Sequence, residues 1–74
     1  MTLNKIIPSV KKFKLNEMVD FLFVKGIPYS RKLIEWTAAN HPHDNTEIDV
    51  WCEDGFIQIF YDIKGNLTRY EIWD

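Results

Sequence analysis

The stretch from Thr46 to Asp74 constrains this chain more than any other, because it reads as three antiparallel strands closed by two tight turns. Glu53-Asp54-Gly55-Phe56 sets Asp-Gly between apolar-rich runs. That is the strongest short-range hairpin signal, since a type I′ turn needs positive φ at both central residues. A two-residue turn at Asp54-Gly55 places Glu53 opposite Phe56, Cys52 opposite Ile57, Trp51 opposite Gln58, Val50 opposite Ile59 and Ile48 opposite Tyr61. Side chains alternate faces along a strand, so Ile48, Val50, Cys52, Ile57, Ile59 and Tyr61 share one apolar face.

The second turn lies in Asp62-Ile63-Lys64-Gly65-Asn66-Leu67. A loop of two or four residues sets Tyr61 opposite Thr68, Ile59 opposite Tyr70 and Ile57 opposite Ile72, which adds Thr68, Tyr70 and Ile72 to the apolar face. A three-residue loop would bring Arg69 onto that face, and a buried face does not tolerate the slip. The strands are therefore expected at 46–53, 56–62 and 67–73.

The other face carries Glu47, Asp49, Trp51, Glu53, Phe56, Gln58, Phe60, Asp62, Leu67, Arg69, Glu71 and Trp73. A half-solvated sheet normally shows polar residues there, yet four of these are large aromatics. A contiguous exposed apolar patch marks an interaction site. Trp51, Phe56, Phe60 and Trp73 are the expected anchors, with Arg69 among them and Glu47, Asp49, Glu53 and Glu71 as an acidic rim. The competing expectation is that residues 1–8, or a helix, fold across this face.

The segment Tyr61-Asp62-Ile63-Lys64-Gly65-Asn66-Leu67-Thr68-Arg69 resembles the core of a YD repeat, the hairpin unit of Rhs-type proteins. It covers one hairpin, whereas those proteins stack many copies. The resemblance implies a turn with Asp at its start and Gly at its positive-φ position, and no function.

Ahead of the sheet, Ser9 and Asn16 are candidate N-caps, and Gly26 is a candidate C-cap, for a helix over about 9–25, with Pro8-Ser9 as the break before it. Phe21 to Val24 is apolar nearly all round, which predicts a deeply buried helix end. Pro28 and Ser30 precede a second expected helix at 30–39, with Leu33, Ile34, Thr37 and Ala38 as its stripe and Trp36 on its flank. The expected fold is α+β: two N-terminal helices packed on one face of a three-stranded meander, in one domain over residues 1–74.

Residues 1–43 hold seven basic and three acidic residues, whereas residues 44–74 hold two basic and eight acidic, within a net charge of −2. A lone cysteine, Cys52, excludes an internal disulfide and reads as a buried small hydrophobe. No segment is apolar enough to span a membrane and no signal-peptide pattern opens the chain, so a cytoplasmic location is expected, the host cytoplasm if phage-encoded. No cofactor or metal is expected: His41, His43 and Asp44 crowd across Pro42, whereas zinc ligands come from separated segments.

Aligning a helix-turn-helix on Gly26 places Lys25 and Lys32 at positions that need apolar residues. An acidic hairpin would also be repelled by phosphate, so direct nucleic-acid binding is disfavoured. The order of elements resembles small ribonuclease toxins of the RelE type, but those present a basic sheet face to RNA and this one is acidic. In type, the chain resembles phage or mobile-element inhibitors of host nucleases, such as anti-CRISPR and anti-restriction proteins. That resemblance implies carboxylates spaced like phosphates in a basic groove. The leading expectation is thus a non-enzymatic inhibitor or regulator of a basic, nucleic-acid-handling protein. A homodimer through the aromatic face, a nucleic-acid-binding regulator using the basic helices, and a RelE-like ribonuclease are the alternatives.

Overall fold

The computed structural model describes residues 1–35 and 39–74. Two helices, α1 (Leu3–Lys12) and α2 (Leu15–Lys25), precede four strands: β1 (Tyr29–Leu33), β2 (Thr46–Cys52), β3 (Gly55–Tyr61) and β4 (Leu67–Trp73). The strands form one antiparallel sheet in the order β1-β2-β3-β4. Both helices lie on one side of it. Leu3, Ile6, Val10, Leu15, Met18 and Leu22 pack against Ile48, Val50, Ile57, Ile59 and Tyr61 in a single core. The α+β layering matches expectation, and the sheet gains a fourth strand.

That strand occupies the start of the expected 30–39 helix. Tyr29 pairs with Val50, and Leu33 with Thr46. Only the part of that helix over 36–38 lies outside the described residues. The physical reason for the strand is β2. Ile48 and Val50 are fully buried. Without β1, their strand would be an edge with unpaired backbone groups beside the core. Trp51 N–H donates to Pro28 O at 3.0 Å and Ile34 N–H to Asn45 O at 2.7 Å, closing the ladder at both ends.

The expected helix over 9–25 is two helices with an extended break at Phe13 and Lys14. Pro8 sits inside α1 instead of breaking it. A mid-helix proline costs about 3 kcal/mol. Leu3, Ile6 and Val10, spaced on one helix face and buried in the core, offset that cost.

Gly26 is the left-handed C-cap of α2 as expected, but the N-terminal caps are supplied by the sheet rather than by Ser9 or Asn16, both of which lie within helices. Leu3 N–H donates to Asp54 Oδ1 at 3.0 Å, from the β2–β3 turn. Leu15 N–H donates to Gly65 O at 2.9 Å, from the β3–β4 turn. Each hairpin tip thus caps one helix N-terminus, whose first N–H groups have no partner within the helix. Residues 1–8 accordingly lie on the core side and leave the outer sheet face uncovered.

The registers keep the expected faces with two local changes. In the first hairpin Cys52 pairs with Gly55 and Ile48 with Ile59, so Glu53-Asp54 is the loop, not Asp54-Gly55. A shift by two residues in total preserves side-chain parity. Gly55 has φ +148 because β4 closes on it: a Cβ there would meet the Trp73 carbonyl oxygen, and Asp74 Cα at 2.9 Å. In the second hairpin Ile59 faces Tyr70 and Ile57 faces Ile72 as expected, but a bulge pairs Tyr61 with Leu67 instead of Thr68. The bulge turns Leu67 against the core and Thr68 toward the outer side. The end of α2 is also unlike its expectation, because Phe23 and Val24 are exposed.

Candidate functional site: the outer sheet face

β2, β3 and β4 bring the predicted anchors together on the face away from the helices. Phe56 pairs with both Trp51 and Trp73 across the sheet, because β3 is central to the three. The Phe56 and Trp73 rings stack at 6.2 Å between centroids with 13° between planes. The Trp73 indole N–H donates to Gln58 Oε1 at 2.8 Å, which ties the ring to β3. Trp51 remains 48% exposed and Trp73 52%. These three rings form an open aromatic surface flanked by Glu53 and Glu71, both exposed.

The other end of the face is closed. Phe60 is only 6% exposed and is not available as an anchor. The Arg69 guanidinium lies over its ring at 3.8 Å. Arg69 in turn donates from Nε and Nη2 to Asp44 Oδ2 at 3.2 and 3.1 Å, and its Nη1 sits 3.2 Å from Glu71 Oε1. Thr68 Oγ1 donates to the second Asp44 oxygen at 2.7 Å. Asp44 is buried, so the segment entering β2 crosses the sheet and seals this end. The burial of Asp44 and its role in holding Arg69 were not expected, since a polar stretch before a strand reads as a solvated loop. The spacing between Asp44 and Arg69 carries no signal in the sequence.

Glu47, expected on the exposed rim, is 7% exposed. Its carboxylate accepts from Gln58 Nε2 at 3.3 Å and lies 3.6 Å from Lys32 Nζ. Burial pushes its pKa up, and the neighbouring Asp49 carboxylate adds to the rise against the opposing pull of Lys32. Asp49 Oδ1 has no donor among the described residues. A proton on Glu47 would supply one, which adds to the rise that desolvation leads. Glu47 is thus internal to the sheet surface and does not rim it, and Asp49 beside it is half-buried.

Cys52 is half-buried, and desolvation followed by the Asp54 charge pushes its thiol pKa up. It is therefore held protonated and poorly nucleophilic. His43 is exposed, and among the described residues no three His, Cys, Asp or Glu side chains converge as a metal site. No described helix is long and apolar enough to cross a membrane.

The charge asymmetry along the chain becomes an asymmetry between layers. Lys5, Lys11, Lys12, Lys14 and Lys25 are exposed on the helices, and none of them makes an ion pair with the sheet acids among the described residues. Across the two halves, Lys32 pairs with Glu47 and the N-terminal amine with Glu53, while the helix lysines are left to solvent.

Comparison with protein-family models, with curated proteins and with solved structures finds no match to this chain.

Proposed function

We propose that this protein is a non-enzymatic protein-binding module that docks on a basic, nucleic-acid-handling partner and inhibits or regulates it. The observation that carries this reading is the open aromatic surface of Trp51, Phe56 and Trp73 beside the exposed Glu53 and Glu71. Rigid aromatic side chains in the centre of a patch supply most of the affinity of protein interfaces. Flanking charge steers a partner of opposite sign and sets its on-rate. Arg69 faces both Asp44 and Glu71, Lys32 faces Glu47 and the N-terminal amine faces Glu53, so the cations on this face only partly offset its acids.

The exposed helix lysines favour a second reading, in which the helical layer contacts phosphate backbone. One experiment separates the two. The indole N–H resonances of Trp51 and Trp73 are followed by NMR during titration with an arginine-rich peptide, and separately with duplex DNA. The protein-binding reading expects both indole signals to move with the peptide, and the shifts to collapse with added salt. Shifts confined to α1 and α2 amides with DNA, and no indole response to the peptide, would replace it with the second reading.

A further inference from the structure

We propose that two copies of this chain pair through the free edge of β4, antiparallel and centred on Tyr70, to make one continuous sheet. β4 is the last strand in the sheet, and among the described residues nothing pairs with its outer side. An unpaired edge is a template for another strand unless something blunts it. The opposite edge is blunted. Pro28 precedes β1, and Arg31 and Lys32 bring like charges together or side by side in any self-pairing. β4 has no proline, no glycine and no charge on its core-facing side, and its two charges, Arg69 and Glu71, cancel. Ile72 and Trp73, at its end, are exposed.

The charges that would keep other strands away are self-complementary. In a coplanar two-fold pairing, opposed residues lie on the same face, so the axis passes through a residue. An axis at Arg69 opposes two guanidinium groups, and an axis at Glu71 opposes two carboxylates. An axis at Tyr70 sets Arg69 of each copy opposite Glu71 of the other. Like charges directly opposite are destabilising and unlike ones stabilising, so only the Tyr70 register is favourable. Within one copy Arg69 lies over Phe60, holds Asp44 through Nε and Nη2 and has Nη1 3.2 Å from Glu71 of its own strand, so in the pair Glu71 of the other copy shares that nitrogen with the strand's own Glu71. The bulge at Thr68 ends the pairing and keeps it to a short ladder. The outer faces of the two copies lie side by side, which doubles the aromatic surface without covering it. The pairing holds whatever that surface binds.

The test is sedimentation equilibrium over a range of concentrations, on the wild type, on Glu71→Lys and on Trp51→Ala. The wild type is expected to reach twice the 8.9 kDa chain mass and to stop there. Glu71→Lys opposes cations twice across the axis and should weaken the dimer at least about tenfold. Trp51→Ala trims the outer face and leaves the β4 edge intact, so it should still dimerise. Hydrogen exchange on the wild type gives a readout that needs no variant: alternate β4 amides should gain protection as concentration rises. A monomer at every concentration, growth past the dimer, a Glu71→Lys dimer as tight as wild type, or loss of the dimer in Trp51→Ala would each overturn edge pairing.

Discussion

On the helix side of the sheet, Ile48, Val50, Ile57, Ile59 and Tyr61 are fully buried among apolar side chains from α1 and α2. On the other side, burial is reached with Phe60, Glu47 and Asp44, and it stops short of Trp51 and Trp73. The helix side is sealed by apolar area, which is non-directional and tolerates small misfits. The outer side is sealed by a polar lid of Asp44, Arg69 and Thr68, which holds only where every donor and acceptor meets a partner. Such a lid is local. It covers Phe60 and leaves the Trp51–Phe56–Trp73 end for something else to cover.

The strongest test of this contrast is Ile59→Ala. It removes a fully buried side chain of a central strand and should cost roughly 2–5 kcal/mol in urea or guanidinium unfolding. Phe60→Ala, one residue along and facing the other way, should also be costly, about 3 kcal/mol, because the Arg69 lid can settle only partly into the space. A loss below ~1 kcal/mol at Phe60 would show that the outer lid does not exclude water.

Arg69→Ala leaves the buried Asp44 carboxylate with Thr68 as its remaining side-chain donor, and Phe60 without its cover. A loss of about 3 kcal/mol is expected, at the low end for breaking a buried pair because Arg69 keeps some solvent contact. Asp44→Asn should recover part of it in the double variant, since the orphaned charge is then gone. Additive losses in the double-mutant cycle would break the idea of a single lid.

Trp51→Ala should cost under about 1 kcal/mol in stability, because the ring is half in solvent, yet weaken partner binding by ~2 kcal/mol or more. The reverse order of effects in calorimetry and unfolding would place Trp51 in the fold rather than in the site.

The smallest effect is electrostatic. Glu47 has a folded-state pKa above its unfolded one, chiefly from desolvation. The folded chain therefore keeps a proton over a window in which the unfolded chain has lost it, and stability falls as pH rises through that window. Glu47→Gln should flatten this slope in unfolding midpoints measured from about pH 4 to about pH 7. A slope unchanged in the variant would assign it to another group.

Period-two alternation and two glycine-bearing turns made β2, β3 and β4 readable from residue order, down to which side chains share a face. Their exact pairing was less readable. Asp54 stays in the turn and caps α1, whereas Gly55 leaves it to join β3 under the close approach of β4, and neither contact is local.

That Trp51, Phe56 and Trp73 share the outer face followed from parity alone. Phe60 and Glu47 share their parity and are buried, Phe60 under an Arg69 that Asp44 holds from a distant segment and Glu47 beside Gln58 and Lys32. The helices show the same division. Apolar spacing marked helical sequence around residues 9–25, but Pro8, Ser9 and Asn16 gave the wrong ends, since the true caps come from the hairpin tips. β1 was the least readable element. Tyr29–Leu33 has one partly buried side chain and four exposed ones, so its own residues hardly prefer a strand. Local preference amounts to a few tenths of a kcal/mol per residue, whereas leaving the β2 backbone unpaired beside a packed core costs ~1–3 kcal/mol for each group. Residue order therefore determined the hairpin strands and their faces. Only the assembled sheet, which had to complete the pairing of β2, decided that residues 29–33 are a strand.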